Sequence, residues 1–324
     1  MATISILPNG STSGNPNYKG NTSPEKRGET KGWTLQVSRR LRKWFYSVDT
    51  TQLTGHGLAF TLTVRDCPET SDDWNTVRKT FIQRLQRKGL IRLHWLTEWQ
   101  RRGVPHLHGV AYFPAGTIHS IEHEWTQLTG KKYGAAIWAQ KVTEVTGIVG
   151  WLDYLAKHST RSAIHYQRSP ENIPEGWTKT GRMWGKSGDW PVREPMSFQV
   201  CQQGFYAYRR IVHKLRVAGV RERMASAFRH ANDLAAAKPH LVTPVNGDIH
   251  LKDDSEVYDR QKIKNYVSTY LNAKKELTST RRLLKNNDSD QSRYKGTSNW
   301  LDQNDSIKII AHLASCGYLV EQID

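Results

Sequence analysis

The sequence predicts an α+β fold: an antiparallel sheet with helices on one face, followed by a mainly helical C-terminal region. Three observations carry this. Short apolar runs of alternating parity recur between about residues 57 and 142, and amphipathic stretches with helical spacing separate them. Beyond Gly219 the alternation gives way to polar stretches of helical composition.

Residues 1–31 are rich in Gly, Ser, Asn, Thr and Pro and almost free of large apolar side chains after Leu7, so they read as a disordered leader. Residues 32–218 form the mixed domain, and 219–324 an accessory region, partly helical with linkers. Within the domain, "GLAFTLTV" predicts a strand near 57–64. A helix follows over Ser71–Lys88, because Trp74, Val77, Phe81 and Leu85 share one stripe and Ser71 and Asp72 are natural caps. Strands at about 90–99 and 105–113 are joined by "QRRGV", whose Gly103 suits a hairpin loop. Next come a short helix at 118–129, a strand near 135–142, a helix at 144–158, a hairpin or loop pair over 180–202 and a basic helix at about 204–217. This order resembles a ferredoxin-like or RRM-like sheet. Further on, "AFRHANDLAAAKP" and "RQKIKNYVSTYLNAKKEL" predict helices, "LLKNNDSDQSRYKGTSNW" a linker, and "DSIKIIAHLASCGYLVE" a small capping element.

Composition narrows the function. The 324 residues carry a formal charge of +17, and a surplus of that size answers a polyanion, most often nucleic acid. No apolar run approaches the roughly 20 residues of a membrane span, and "MATISILPNG" lacks the features of a signal peptide, so no membrane partner and a cytoplasmic location are expected. Cys67, Cys201 and Cys316 are too few and too scattered for a disulfide framework or a zinc knuckle.

Strand parity supplies the site. In 90–99 the odd residues are Ile91, Leu93, Trp95, Thr97 and Trp99; the even ones include Arg92, His94 and Glu98. In 105–113 the odd set holds Leu107, Gly109, Ala111 and Phe113, and the even set His106, His108, Val110 and Tyr112. If the hairpin turns around Arg102, Glu98 stands opposite His106, with Cβ atoms about 5 Å apart, and His108 lies one pleat further on the same face. The 57–64 strand adds Thr61 and Thr63 to that polar face. Two imidazoles and a carboxylate with an open side suit a divalent ion; the nitrogen donors favour manganese, cobalt, nickel or zinc.

In "VTGIVGWLDYLAKH", Val145, Ile148, Val149, Leu152, Leu155 and Ala156 form an apolar stripe, with Tyr154 almost opposite. Lys157 and His158 flank Tyr154 on that polar side. A tyrosine can serve as a nucleophile. Its reference pKa of about 10 leaves it on the order of 4 kcal/mol short of ionisation at neutral pH, which a nearby cation offsets.

Three pieces in this order resemble the HUH endonucleases, in the branch of rolling-circle replication initiators of plasmids and single-stranded DNA phages. "FTLTV" (Phe60 to Val64) is similar to that family's first motif, "HLHGVAYF" to its two-histidine motif and "YLAKH" to its Tyr-x-x-Lys motif. The resemblance implies metal-dependent nicking of single-stranded origin DNA by transesterification, a 5′-phosphotyrosine adduct, a free 3′ hydroxyl that primes synthesis, and rejoining at termination. Carried over, Tyr154 is the nucleophile and Lys157 the accessory lysine. His106 and His108 are metal ligands, Glu98 is the acidic third ligand, and the cofactor is a divalent metal, Mn²⁺ or Mg²⁺. Thr61, Thr63, Arg92, His158, Arg161 and Arg182 are the expected DNA contacts. The residues around Lys186 fail the Walker A pattern, since Thr180 stands where its first Gly is needed, so a host helicase and polymerase are the implied partners.

Two rivals differ in kind. His119 and His123 in "HSIEH" lie one helical turn apart, but the glutamate of the zinc-protease pattern is missing and both are expected to face solvent. A non-catalytic binder of single strands would use basic residues interleaved with aromatics, as in "GFYAYRRIVHKLRVAG"; the alternative for that helix is that its aromatics pack in a core.

Overall fold

The computed structural model describes residues 1–14, 32–116, 120–145, 165–243, 253–285 and 298–323. It is an α+β protein with two five-stranded antiparallel sheets and a helical C-terminal region. The first sheet holds β3 (His56–Thr63), β4 (Arg92–Trp99), β5 (Pro105–Phe113), β6 (Lys141–Val145) and β7 (Trp184–Gly188) in the order β6-β3-β5-β4-β7. With α2 (Ser71–Arg87) between β3 and β4, and α3 (Ile121–Tyr133) between β5 and β6, this is the β-α-β-β-α-β arrangement extended by one edge strand.

The apolar parity set buries against α2 and α3. Phe81 meets Phe60 and Trp125 edge to face, Trp74 donates from Nε1 to Thr97 Oγ1 at 3.1 Å, and the Arg78 guanidinium lies 3.7 Å over the Trp95 ring. Burial holds Arg78 down to about 10. The Thr70 hydroxyl, one residue earlier than expected, caps α2 through Asp73 N–H.

The opposite face is covered as well, where helices on one face alone were expected. All residues of β4 and β5 are buried. A helix that the sequence pattern did not reveal, α1 (Leu35–Ser47), lies across one end of this face. Its Trp44 stacks on His94 at 4.7 Å, Phe45 meets the same imidazole edge-on, and Trp184 and Trp190 complete the cluster. His94 is fully enclosed, and burial alone pushes its pKa from 6.5 to about 3.

The second sheet corrects the disordered leader. Ala2–Leu7 and Gly10–Ser13 are strands, β1 and β2, in the order β10-β8-β1-β2-β9 with β8 (Met196–Val200), β9 (Ser298–Trp300) and β10 (Val320–Ile323). Ile4 and Ile6 supply the burial that the Ser and Thr around them do not, packing with Phe205, Tyr208, Ile309 and Leu313. The polar composition of residues 8–31 masked this short apolar alternation; residues 15–31 lie outside the described residues. Nor is 180–202 a hairpin, because β7 pairs with β4 while β8 pairs with β1 and β10. The expected strand at 135–142 begins later, after a short 3₁₀ turn at Ile137–Ala139. β6 therefore occupies 144 and 145, where a helix was expected to start.

The basic helix runs much further than predicted. As α4 (Gln202–Ala237) it passes straight through the expected boundary at 218/219 and pairs with α5 (Asp254–Lys285) around Val220, Ala273 and Leu277. Its first turns pack their aromatics into the second sheet's core, as Phe205 and Tyr208 show. The capping element is α6 (Gln303–Ser315) with β10. The two sheets meet where Tyr46 of α1 packs edge-on against Trp300 and Asn9 N–H donates to Tyr46 O.

Two outcomes test this fold. Ile4→Ala should lower unfolding stability by about 3 kcal/mol in denaturant titration, since Ile4 is fully buried. His94 stays neutral when folded but takes up a proton when unfolded, so its contribution is complete above pH 6.5 and drains away as pH falls toward 3. Between pH 7 and pH 5 the wild type should lose on the order of 2 kcal/mol more than His94→Phe in parallel unfolding curves.

Candidate metal centre

The site is built by the β4–β5 hairpin. Gln100 N–H donates to Val104 O at 2.9 Å and Gly103 N–H to Gln100 O at 3.0 Å, with Gly103 at φ 69°, where a side chain would be strained. This loop fixes the expected register. Glu98 pairs with His106 and Leu96 with His108, while on the other side Thr63 pairs with His106 and Thr61 with His108. Glu98, His106 and His108 thus share the face away from α2 and α3, and they are the one such His/Cys/Asp/Glu cluster among the described residues.

Each of the three offers one donor atom, and these atoms lie within 4.8 Å of one another. His106 Nε2 is 3.1 Å from His108 Nε2, and His108 Nε2 is 3.4 Å from Glu98 Oε2. Two ligands about 2.1 Å from one ion stand roughly 3.0 to 3.4 Å apart at right-angle to tetrahedral openings. Both separations fall in that span. The remaining atoms have partners that aim the donors inward: Thr61 Oγ1 lies 2.9 Å from His108 Nδ1, and Arg168 Nε donates to Glu98 Oε1 at 2.8 Å. With Nδ1 protonated toward Thr61, the His108 Nε2 lone pair faces the cluster. Gln167 Nε2 sits 3.3 Å from His106 Nε2. The donor set fits a divalent ion.

Burial raises the stakes of this arrangement. Glu98 is 0% exposed, His108 3% and His106 8%. A carboxylate so enclosed requires countercharge, and Arg168, itself 1% exposed, provides it. Arg168 comes from a turn at 165–168 that docks on the end of β4 through Trp99 N–H to Gln167 O at 2.8 Å. Its guanidinium lies 4.0 Å over the Trp33 ring, and Trp33 Nε1 donates to Thr97 O at 2.8 Å.

The other expected site residues divide. Arg92 is buried; its Nη1 donates to Thr54 O at 3.2 Å and its guanidinium lies over Tyr112, which corrects its assignment to DNA. Thr61 orients His108, and Thr63 accepts from Gln100 Nε2, so both hydroxyls serve the hairpin. Arg182 is exposed, and its carbonyl accepts from Arg78. Tyr154, Lys157, His158 and Arg161 lie outside the described residues, as does His119; His123 is exposed, with Gln127 Nε2 2.8 Å from its Nε2. Sequence reasoning missed Arg168, Gln167 and Trp33. Thr61 was visible by parity, but nothing local in the sequence marks a guanidinium 70 residues from its carboxylate.

Comparison with known proteins gives this geometry a context. Residues 57–163 match the family model for replication-associated proteins of the ORF2 and gene 2 protein type. The chain is 48% identical over 218 residues to the replication-associated gene 2 protein of Pseudomonas phage Pf3, covering 66% of this chain and 76% of that one. Two proteins named as putative replication proteins, from Xylella fastidiosa strains 9a5c and Temecula1, are 44% and 43% identical over 218 residues. Each match covers 63% of this chain, with 76% and 82% of those relatives. No solved structure matches the chain. With nearly half of the aligned residues identical across three quarters of the phage protein, the chain belongs to this family of replication-associated proteins.

Proposed function

We propose that this protein initiates rolling-circle replication by nicking single-stranded origin DNA, and that it rejoins the strand when a round ends. The observation that carries the reading is the buried Glu98–His106–His108 cluster on adjacent antiparallel strands, within the segment that matches a replication-associated family.

His106 and His108 would hold the ion through Nε2 and Glu98 through Oε2. A bound divalent ion, Mn²⁺ or Mg²⁺, supplies a Lewis acid for a phosphate oxygen. The nucleophile is Tyr154: its phenol oxygen attacks the scissile phosphorus, the 3′ oxygen leaves, and the 5′ phosphate stays on the tyrosine while the 3′ hydroxyl becomes a primer. Lys157 supplies positive charge that favours the phenolate. His158, Arg161 and Arg182 contribute contacts to the strand, within a chain whose formal charge of +17 draws DNA to it. A host polymerase extends the primer and a host helicase opens the duplex ahead.

Two measurements test this. Incubating a labelled origin oligonucleotide with the protein and Mn²⁺ should give a denaturation-resistant adduct that Tyr154→Phe abolishes while DNA affinity stays within about threefold. A non-catalytic binder would form no adduct in either case. Mn²⁺ at a hundred times its Kd should raise wild-type stability by about 2.7 kcal/mol, and His108→Ala should remove that increment in thermal unfolding.

A further inference from the structure

A carboxylate that ligates a metal with one oxygen needs something to occupy the other; otherwise it rotates or chelates through both. In this protein that partner is a buried guanidinium. Arg168 Nε donates to Glu98 Oε1 at 2.8 Å, while Oε2 of the same carboxylate faces His108 Nε2 at 3.4 Å. The guanidinium is held from behind by the Trp33 ring at 4.0 Å, and Trp33 is tied to β4 by its Nε1 bond to Thr97 O. The backbone of the same turn is fastened to the strand end by Trp99 N–H to Gln167 O. Trp33, β4 and the 165–168 turn thus fix the guanidinium from three directions.

We propose that Arg168 is the positioning residue of the metal centre: it fixes Glu98 as a single-oxygen ligand aimed at the two histidines, with Trp33 as the platform that fixes Arg168. This rests on the metal-binding part of the reading above. Arg168 touches neither DNA nor the ion in this role. Two effects of opposite sign compete. The guanidinium's charge weakens the pull of Glu98 on a cation, whereas orientation of the ligand strengthens binding, and partners of this kind are typically worth 10- to 100-fold in metal affinity. Burial of both groups makes orientation the larger effect, because a carboxylate freed inside the protein has no water to hold it toward the histidines.

The test is Mn²⁺ binding to the full chain by titration calorimetry, with no DNA present. Arg168→Gln should weaken Mn²⁺ at least tenfold. Arg168→Lys, which keeps the charge but not the planar fork, should fall between the two, and Trp33→Leu should move affinity in the same direction. In a Glu98→Gln background, Arg168→Lys should have no further effect, since the ligand it positions is altered. A purely structural role would leave the arginine substitution equally costly in both backgrounds, and that result, or an unchanged or tighter Kd in Arg168→Gln, overturns the proposal. Should Arg168→Gln not fold, the Arg168→Lys and Glu98→Gln comparison decides by itself. If the wild type binds no Mn²⁺, the metal centre falls, and this proposal with it; if it binds normally and only the arginine variants are silent, the proposal alone fails.

Discussion

The register of one hairpin is the constraint on which the site depends. Side chains alternate along a strand, so a slip of one residue between β4 and β5 would carry His106 and His108 into the α2 and α3 core and bring Leu107 and Gly109 to the metal face. The loop closed by Gln100, Gly103 and Val104 prevents that slip. Gly109 makes this pairing possible, because a Cβ there would run into the Phe60 ring and the His94 carbonyl. Packing on one face therefore helps to fix ligand geometry on the other.

Enclosure gives the arrangement its chemical character. Aromatic side chains from α1 and the 184–190 segment seal the His94 end of the sheet, and the 165–168 turn covers the Glu98 end. Charges in such surroundings interact more strongly than they would in water. The same enclosure explains two neighbouring histidines with different fates. His94, among tryptophans, is kept neutral, whereas His108 has a hydroxyl on one nitrogen and a carboxylate near the other.

Much of the first sheet was legible because its signals are local. Alternation in 90–113, the stripe of Trp74, Val77, Phe81 and Leu85, and a glycine in the loop between β4 and β5 each constrain a few consecutive residues, and the facing of Glu98 and His106 follows from parity. What was not legible depends on contacts between distant segments. The strand at Ala2–Leu7 looks like part of a polar leader until Val200 and Phe198 are beside it. α1 has a clean apolar stripe, but a run of basic residues in "SRRLRK" conceals it. Arg92 was read by its charge alone, although a guanidinium can be used up on a carbonyl inside the fold. The Arg168–Glu98 pair has no local signature at all.

The second sheet joins strands remote from one another in sequence: β1 is bonded to β2 beside it and to β8, where Ala2 faces Val200, and β8 in turn carries β10. The β1–β2 pair is local, but β1's other partner, β8, follows the whole first sheet in sequence. Pairings this remote in sequence form slowly. Closure of the second sheet is therefore expected to lag behind formation of the β4–β5 hairpin in refolding.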